Sequence, residues 1–364
     1  MTALPLAGLK VLEFTHMVMG PAAGGILASL GADVTRVEPP GGDATRRLIG
    51  SGAGYFPMYN RHKSSVFLDL KSECGVGRAK ELAAEADVLI ENFRPGALDR
   101  LGLGYEALAP QNPRLIYCSL KGFLPGPYDQ RTALDEVAQM MGGLAYMTGP
   151  PGRPLRAGAS VIDVTGGMFG VIAILAAIEE RHRSGKGQMV AASLFETTVY
   201  LVGQHMAQKA VTGSSAAPMP ARISAWAIYD VFETKDEPIF IGVVTDALWE
   251  KFCALFGLDD LWADESLLKN NDRVRARDRI LPRIRALIGG LSRDEVIERL
   301  EGSGLPFAPI GRPEDLFEDP HLLASGGLER VDLPDGRETQ LPTVPVMFHG
   351  GTRLSRRAKL SDPE

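Results

Sequence analysis

Over its first 120 residues the chain alternates between short apolar segments and helical ones, and this alternation restricts its fold more than any other feature. Residues 10–14 (Lys-Val-Leu-Glu-Phe) read as a strand, followed by a loop at 15–21 and a helix running through Ser29. Further strands are predicted at 33–37, 65–70, 87–93 and 114–120, with helices at 73–85, near 96–101 and at 105–108. Strands separated by helices of this length make βαβ units, which build a mostly parallel sheet with helices on its faces. The fold class is therefore α/β. Such sheets bind ligands in the loops beyond the carboxyl ends of the strands, here 16–21, 38–42, 92–95 and 121–127. No Gly-x-Gly-x-x-Gly follows the first strand and no P-loop pattern occurs, so both nucleotide-binding readings lose their main support.

Beyond residue 120 the pattern predicts a long helix over 164–183 that stops at Ser184-Gly185, a strand at 188–194 and a helix at 196–209. A Ser-, Ala- and Pro-rich stretch near 212–221 reads as a linker. The texture then changes. Segments 227–233 and 238–244 flank the turn 234–237 as a hairpin, and helices are predicted at 246–256, 273–288 and 292–303. These read as a small α+β domain at 222–310. A closing hairpin pairs 328–333 with 340–347, and the tail 353–364 reads as flexible.

Composition excludes several partners. A net charge of −6 gives no basic footprint, so no nucleic acid is expected. The cysteines Cys74, Cys118 and Cys253 lie far apart without a CxxC pair, which predicts neither disulfides nor a metal site and fits a reducing cytoplasm. The apolar run 161–178 contains Asp163 and three glycines and reads as too short for a membrane span. No signal-peptide pattern opens the chain, so a cytoplasmic location is expected.

Asp163 is the lone carboxylate of that run, and burying an unpaired charge is costly. Its position at or just before a helix start offers two readings. It caps the helix, as Asp commonly does, or it is a carboxylate nucleophile kept ionised by the helix end and able to form an acyl intermediate.

The order of motifs along the chain resembles the class III CoA-transferase family, which includes formyl-CoA transferase, the carnitine CoA-transferases and the α-methylacyl-CoA racemases. The matching pieces include Leu30-Gly-Ala-Asp-Val-Thr-Arg-Val-Glu38, Leu68-Asp-Leu-Lys71, Glu91-Asn-Phe-Arg-Pro-Gly-Ala-Leu-Asp-Arg-Leu-Gly102, Asp163 and Arg183-Ser-Gly-Lys-Gly-Gln188. The resemblance implies a Rossmann-like large domain made of 1–211 and 311–364, the small domain inserted between them across linkers near 212–221 and 310–320, and an interlocked homodimer of ring-shaped chains. It implies that acyl-CoA is a substrate and that no cofactor is tightly bound. It also implies that Asp163 attacks the donor thioester, giving first a mixed anhydride and then an aspartyl-CoA thioester that an acceptor carboxylate resolves. Succinyl-CoA is the donor suggested by analogy.

Family positions further mark His16, Lys71, Asn92, Phe93, Arg94, Arg100 and Arg131 for CoA, and Val18, Tyr128 and Asp135 for orienting substrate; Asp135 reads equally as a helix-surface charge. The racemases need acid/base groups on both faces of the α-carbon. This chain has Leu134 and Thr245 where they carry histidine and glutamate, so the resemblance favours transfer over racemisation. Val18 stands where formyl-CoA transferase has a glutamine, and the glycine-rich lid of that enzyme is absent, which points away from the formyl/oxalate pair. Transfer of CoA between two carboxyls of one dicarboxylate, and a silent CoA-binding protein, remain as alternatives.

Overall fold

The computed structural model describes residues 4–222, 224–333, 335–348 and 358–360. Six parallel strands form one sheet in the order β3-β2-β1-β4-β5-β6. They are β1 (Lys10–Phe14), β2 (Asp33–Glu38), β3 (Lys63–Phe67), β4 (Val88–Glu91), β5 (Ile116–Lys121) and β6 (Met189–Ser193). The helices between them are α1 (Met19–Ser29), α2 (Tyr55–Tyr59), α3 (Glu73–Glu85), α4 (Ala97–Arg100), α5 (Tyr105–Leu108), α6 (Asp135–Met141), α7 (Leu144–Thr148) and α8 (Val161–Ser184). After β6 comes α9 (Leu194–Thr212).

Strand side chains alternate between two apolar cores, as a pleated sheet covered on both faces requires. Val11, Val88, Ile90, Ile116, Cys118 and Leu120 pack under α1 and α8. Leu12, Phe14, Leu89, Leu115 and Tyr117 face the other way, against Ala79 and Ala83 of α3 and leucines near α4 and α5. The third strand lies at Lys63–Phe67, two residues earlier than its pattern predicts, because it pairs with β2 from Val34↔Lys63 onward. The chain then bends at Asp69, whose side chain accepts from Lys71 N at 3.0 Å.

The apolar run does not stop short as expected. α8 has 24 residues and a mean hydropathy of 2.2 over its most apolar window, long and apolar enough by those two measures to cross a bilayer. Its apolar character has a partner in the sheet: Ile162, Val171, Ile174 and Ala177 are buried in the core against α1, β5 and β6.

By internal packing the chain divides into two units, residues up to Pro220 together with those from Asp319 onward, and Ala221–Glu318. In the second unit β7 (Tyr229–Phe232), β8 (Ile239–Gly242) and β9 (Phe307–Pro309) form an antiparallel sheet over a core around Trp249, Phe252 and Ile284. The helix predicted over 273–288 is two, Asn270–Arg275 and Arg277–Gly289. Arg273 causes the offset: its buried guanidinium donates to Leu267 O, Leu268 O and Asp246, fixing the shorter helix by its own contacts.

In the first unit, β10 (Leu328–Asp332) and β11 (Glu338–Pro342) form the closing hairpin, which ends at Pro342 and not in the mid-340s. Most of the C-terminal tail lies outside the described residues. Ala358–Lys359 nevertheless pairs in parallel with Val331 and Asp332, so this part does not run free.

Candidate functional site

The crossovers leave β1 toward β2 on one side, while β4 pairs on its other side, so the crevice between the β1 and β4 loops is the switch point of the sheet. Here the two loops are stitched together. His16 N donates to Asn92 Oδ1 and Asn92 Nδ2 donates to His16 O, both at 2.9 Å, and the His16 ring lies 5.4 Å from that of Phe93. Burial pulls the His16 imidazole below its usual range.

A cavity of about 550 Å³ opens at this point. The β1 loop supplies His16, Met17 and Val18; the β4 loop supplies Asn92, Phe93 and Arg94, with Arg100 from α4. Lys121 follows from the end of β5 and Arg131 from the loop beyond it, then Leu134, Asp135 and Glu136 at the start of α6, and Ser160 and Asp163 at the start of α8. Nine of the eleven residues marked in the sequence therefore meet in one cavity. Lys71 and Tyr128 do not. Lys71 is exposed after β3. Tyr128 packs edge-on against Phe123 and Phe195, with the Arg131 guanidinium 5.1 Å above its ring. Val18 borders the cavity but is almost wholly buried at 1% exposure, whereas Leu134 presents 56% of its surface.

Asp163 is the third residue of α8, not its cap. The capping is done by Asp135 from another helix: its Oδ2 accepts from Ile162 N at 2.9 Å and from Asp163 N at 3.1 Å. Asp135 is thus no surface charge. It is 4% exposed, receives a hydrogen bond from Gln139 on its other oxygen and stands 3.6 Å from Arg156, which also pairs with Glu136. Two free N–H groups at a helix start suit a carboxylate; here Asp135 takes them and Asp163 is left facing the cavity.

The N–H groups of Ile162 and Asp163 at the helix end are thus taken and do not bond the Asp163 carboxylate. Burial, followed by the charges of Asp135 and Glu136, pushes its acid up to about 7, against a smaller opposing pull from Arg156. Gly166 and Gly167, one turn on, admit the backbone of α1. A Cβ at Gly167 would lie 2.7 Å from Met19 O, and one at Gly166 2.8 Å from Met19 Cε.

Local sequence patterns gave no sign of several neighbours. Tyr55 lines the cavity, and Tyr59, on the same short helix, is raised above its ordinary range by burial and then by the Asp163 charge. Arg156 sits on a loop with no pattern of its own. Lys121 was within reach of sequence reasoning, because it opens a loop at a strand's carboxyl end; its Nζ donates to Glu91 at 2.7 Å and to Phe93 O at 2.6 Å. Thr245 belongs to the second unit, where its hydroxyl caps the helix Asp246–Phe256 by accepting from Leu248 N at 3.2 Å. Among the described residues, no group of three His, Cys, Asp or Glu side chains is placed to hold a metal ion.

Comparison with known proteins supplies a family context. A family profile described as CoA-transferase family III matches residues 6–360. An acetyl-CoA:oxalate CoA-transferase of Acetobacter aceti is 36% identical over 84% of this chain and 80% of its own length. A succinyl-CoA:glutarate CoA-transferase of Mus musculus is 33% identical over 94% of this chain and 80% of its own. The crystal structure of a CaiB/BaiF family protein from Brucella suis superposes with a TM-score of 0.85 at 35% identity, covering 99% of this chain and 97% of that one.

Proposed function

The chain belongs to CoA-transferase family III and is a CoA-transferase, and on that premise we propose that it moves CoA from succinyl-CoA to a small carboxylic acid through covalent intermediates on Asp163. The observation that carries this reading is the placement of Asp163: a carboxylate in the first turn of α8, facing a 550 Å³ cavity, whose helix-end N–H groups are taken by Asp135.

The steps balance without water or a proton. An Asp163 oxygen attacks the thioester carbon, the C–S bond breaks and CoA thiolate leaves a mixed anhydride. The thiolate attacks the aspartyl carbon of that anhydride and expels the donor acid, giving an aspartyl-CoA thioester. The acceptor carboxylate attacks this thioester, re-forming an anhydride, and the released thiolate takes the acceptor acyl group and frees Asp163. Each attack on acyl carbon needs an unprotonated oxygen or sulfur. A carboxylate raised to about 7 is a more basic nucleophile than an exposed one and is still about half ionised at neutral pH.

Arg94, Arg100 and Arg131 are exposed cations on the cavity wall, suited to the CoA phosphates; Lys71 stands outside that wall. His16, Asn92 and Phe93 take the stem. Apolar, exposed Leu134 on the cavity wall favours an acceptor longer than oxalate, in keeping with the glutarate in the mouse relative's name. Leu134 offers no proton to an α-carbon, which leaves racemisation without support here.

The active form is a homodimer in this reading. α8 and α9 expose Met168 and Ile172, and Tyr200 and Met206, an apolar surface of the kind that marks an association face. Light scattering is expected to give twice the chain mass of 39.2 kDa, and a monomer at micromolar concentration would contradict it.

The mechanism is tested by incubating the protein with succinyl-CoA and recording its intact mass. Wild type is expected to show an adduct that hydroxylamine removes, and Asp163→Ala to show none. An adduct of equal yield in Asp163→Ala would end the proposal.

A further inference from the structure

Beneath the β1 loop lies a set of buried charges that the reaction does not use. Lys63 Nζ donates to both oxygens of Glu13 at 2.9 and 2.8 Å, to Pro21 O at 2.9 Å and to Asn60 Oδ1 at 3.3 Å. Thr15 Oγ1 donates to Glu13 as well. Arg36, whose Cα is the sheet partner of Glu13, donates to Thr15 O at 3.3 Å, to Asp43 at 2.5 Å and to Asn60. Exposures are 0% for Glu13, 1% for Arg36, 3% for Thr15 and Asn60 and 5% for Lys63.

Burying four charges adds little net stability compared with a well-packed apolar core. Their placement offers another reason for keeping them. Between Thr15 and Pro21 the chain carries Met17 at φ 61°, a left-handed backbone angle that a side chain of this size rarely takes. Such strain persists only where the surroundings over-determine it. This segment is held at three points: Thr15 O by Arg36, His16 by Asn92 and Pro21 O by Lys63. Met17 and its neighbours His16, Val18 and Met19 are the β1 wall of the cavity.

We propose that Lys63 and Glu13 are positioning residues for transfer: they hold the strained Thr15–Pro21 segment as a rigid wall against which the thioester is aligned with Asp163. The inference rests on the proposed role of Asp163 for its rate readout only. Misplacing a wall by about 1 Å costs on the order of 100-fold in rate, while affinity set by more distant phosphate contacts is spared.

The test uses the full-length protein and the double variant Lys63→Met/Glu13→Gln, which removes both buried charges and so avoids stranding one of them. Gly24→Ala reaches the same pair from the other side, because its new methyl would lie 1.8 Å from Glu13 Oε2. In both, deuterium uptake by the amides of residues 15–20 is expected to rise, the rate of adduct formation with succinyl-CoA to fall 10- to 100-fold, and KM for succinyl-CoA to stay within threefold. Unchanged deuterium uptake, or faster uptake with a wild-type adduct rate, in a variant that remains folded would overturn the proposal. If wild type forms no adduct at all, the Asp163 mechanism fails while the exchange result still decides whether the pair holds the loop.

Discussion

Burial and the neighbouring Asp135 carboxylate raise the Asp163 acid from 3.8 to about 7, so the folded protein keeps a proton there that the unfolded chain releases near pH 4. Between those values the folded state binds more protons than the unfolded one, and stability therefore falls as pH rises from 4 to 7. Asp163→Asn lacks this loss. Its melting temperature is expected to match wild type near pH 4 and to exceed it above pH 7; calorimetry across that range showing parallel curves would contradict the placement. Adduct formation needs the ionised form, so its rate is expected to climb through pH 7 and level above it. Asp135→Asn removes a negative neighbour while keeping an acceptor oxygen for the helix start, and should move that rise to lower pH. Asp135→Ala leaves Ile162 N and Asp163 N unsatisfied and is expected to cost about 1–3 kcal/mol in denaturant unfolding. Asp163 was legible in the sequence because a lone carboxylate in an apolar run requires explanation. Asp135 was marked only through the resemblance and for another role; its capping of α8 was not legible, since it stands 28 residues earlier and local pattern does not register a cap supplied from that distance.

At the scale of elements, α1 and α8 carry the geometry of the site, and their glycine contact sets how closely they approach. Gly167→Ala would place a methyl 2.7 Å from Met19 O and 3.2 Å from Ala23 N, both backbone atoms of α1 that cannot turn aside. We expect a loss of about 1–3 kcal/mol, together with slower adduct formation because Met19 belongs to the cavity wall; wild-type stability would show that the two helices separate freely. The strands and helices of the sheet were readable because hydrophobic runs alternate with helices over short connections. What misled was long-range pairing. β3 starts where β2 offers a partner, and the second unit's helix breaks where Arg273 turns inward to bond Leu267 and Leu268. The β2 partner of Lys63 is Val34, too distant in sequence to mark the start of the strand, and the bonds from Arg273 to Leu267 and Leu268, though local, leave no trace in the apolar spacing. The start of α8 was likewise placed three residues late, because the group that takes its first N–H groups, Asp135, stands on another helix.

For the molecule as a whole, the α/β class followed from the alternation of elements, and the activity class from the order of motifs, which the family match over residues 6–360 establishes. The second unit announced itself by a change of texture after the linker near 212–221, whereas the homodimer and the acceptor acid rest on the resemblance, and no composition or period in the chain specifies them. All of them matter less than one question: whether the oxygen of Asp163 enters the transferred bonds. Acceptor acid labelled with ¹⁸O in its carboxylate, turned over with unlabelled succinyl-CoA, answers it. The mechanism predicts one ¹⁸O in Asp163 after each turnover, read as a 2 Da gain in the peptide carrying it, and label in the released succinate after further cycles. Label in succinate with none in Asp163 would mean that the acceptor attacks succinyl-CoA directly, and would contradict the account.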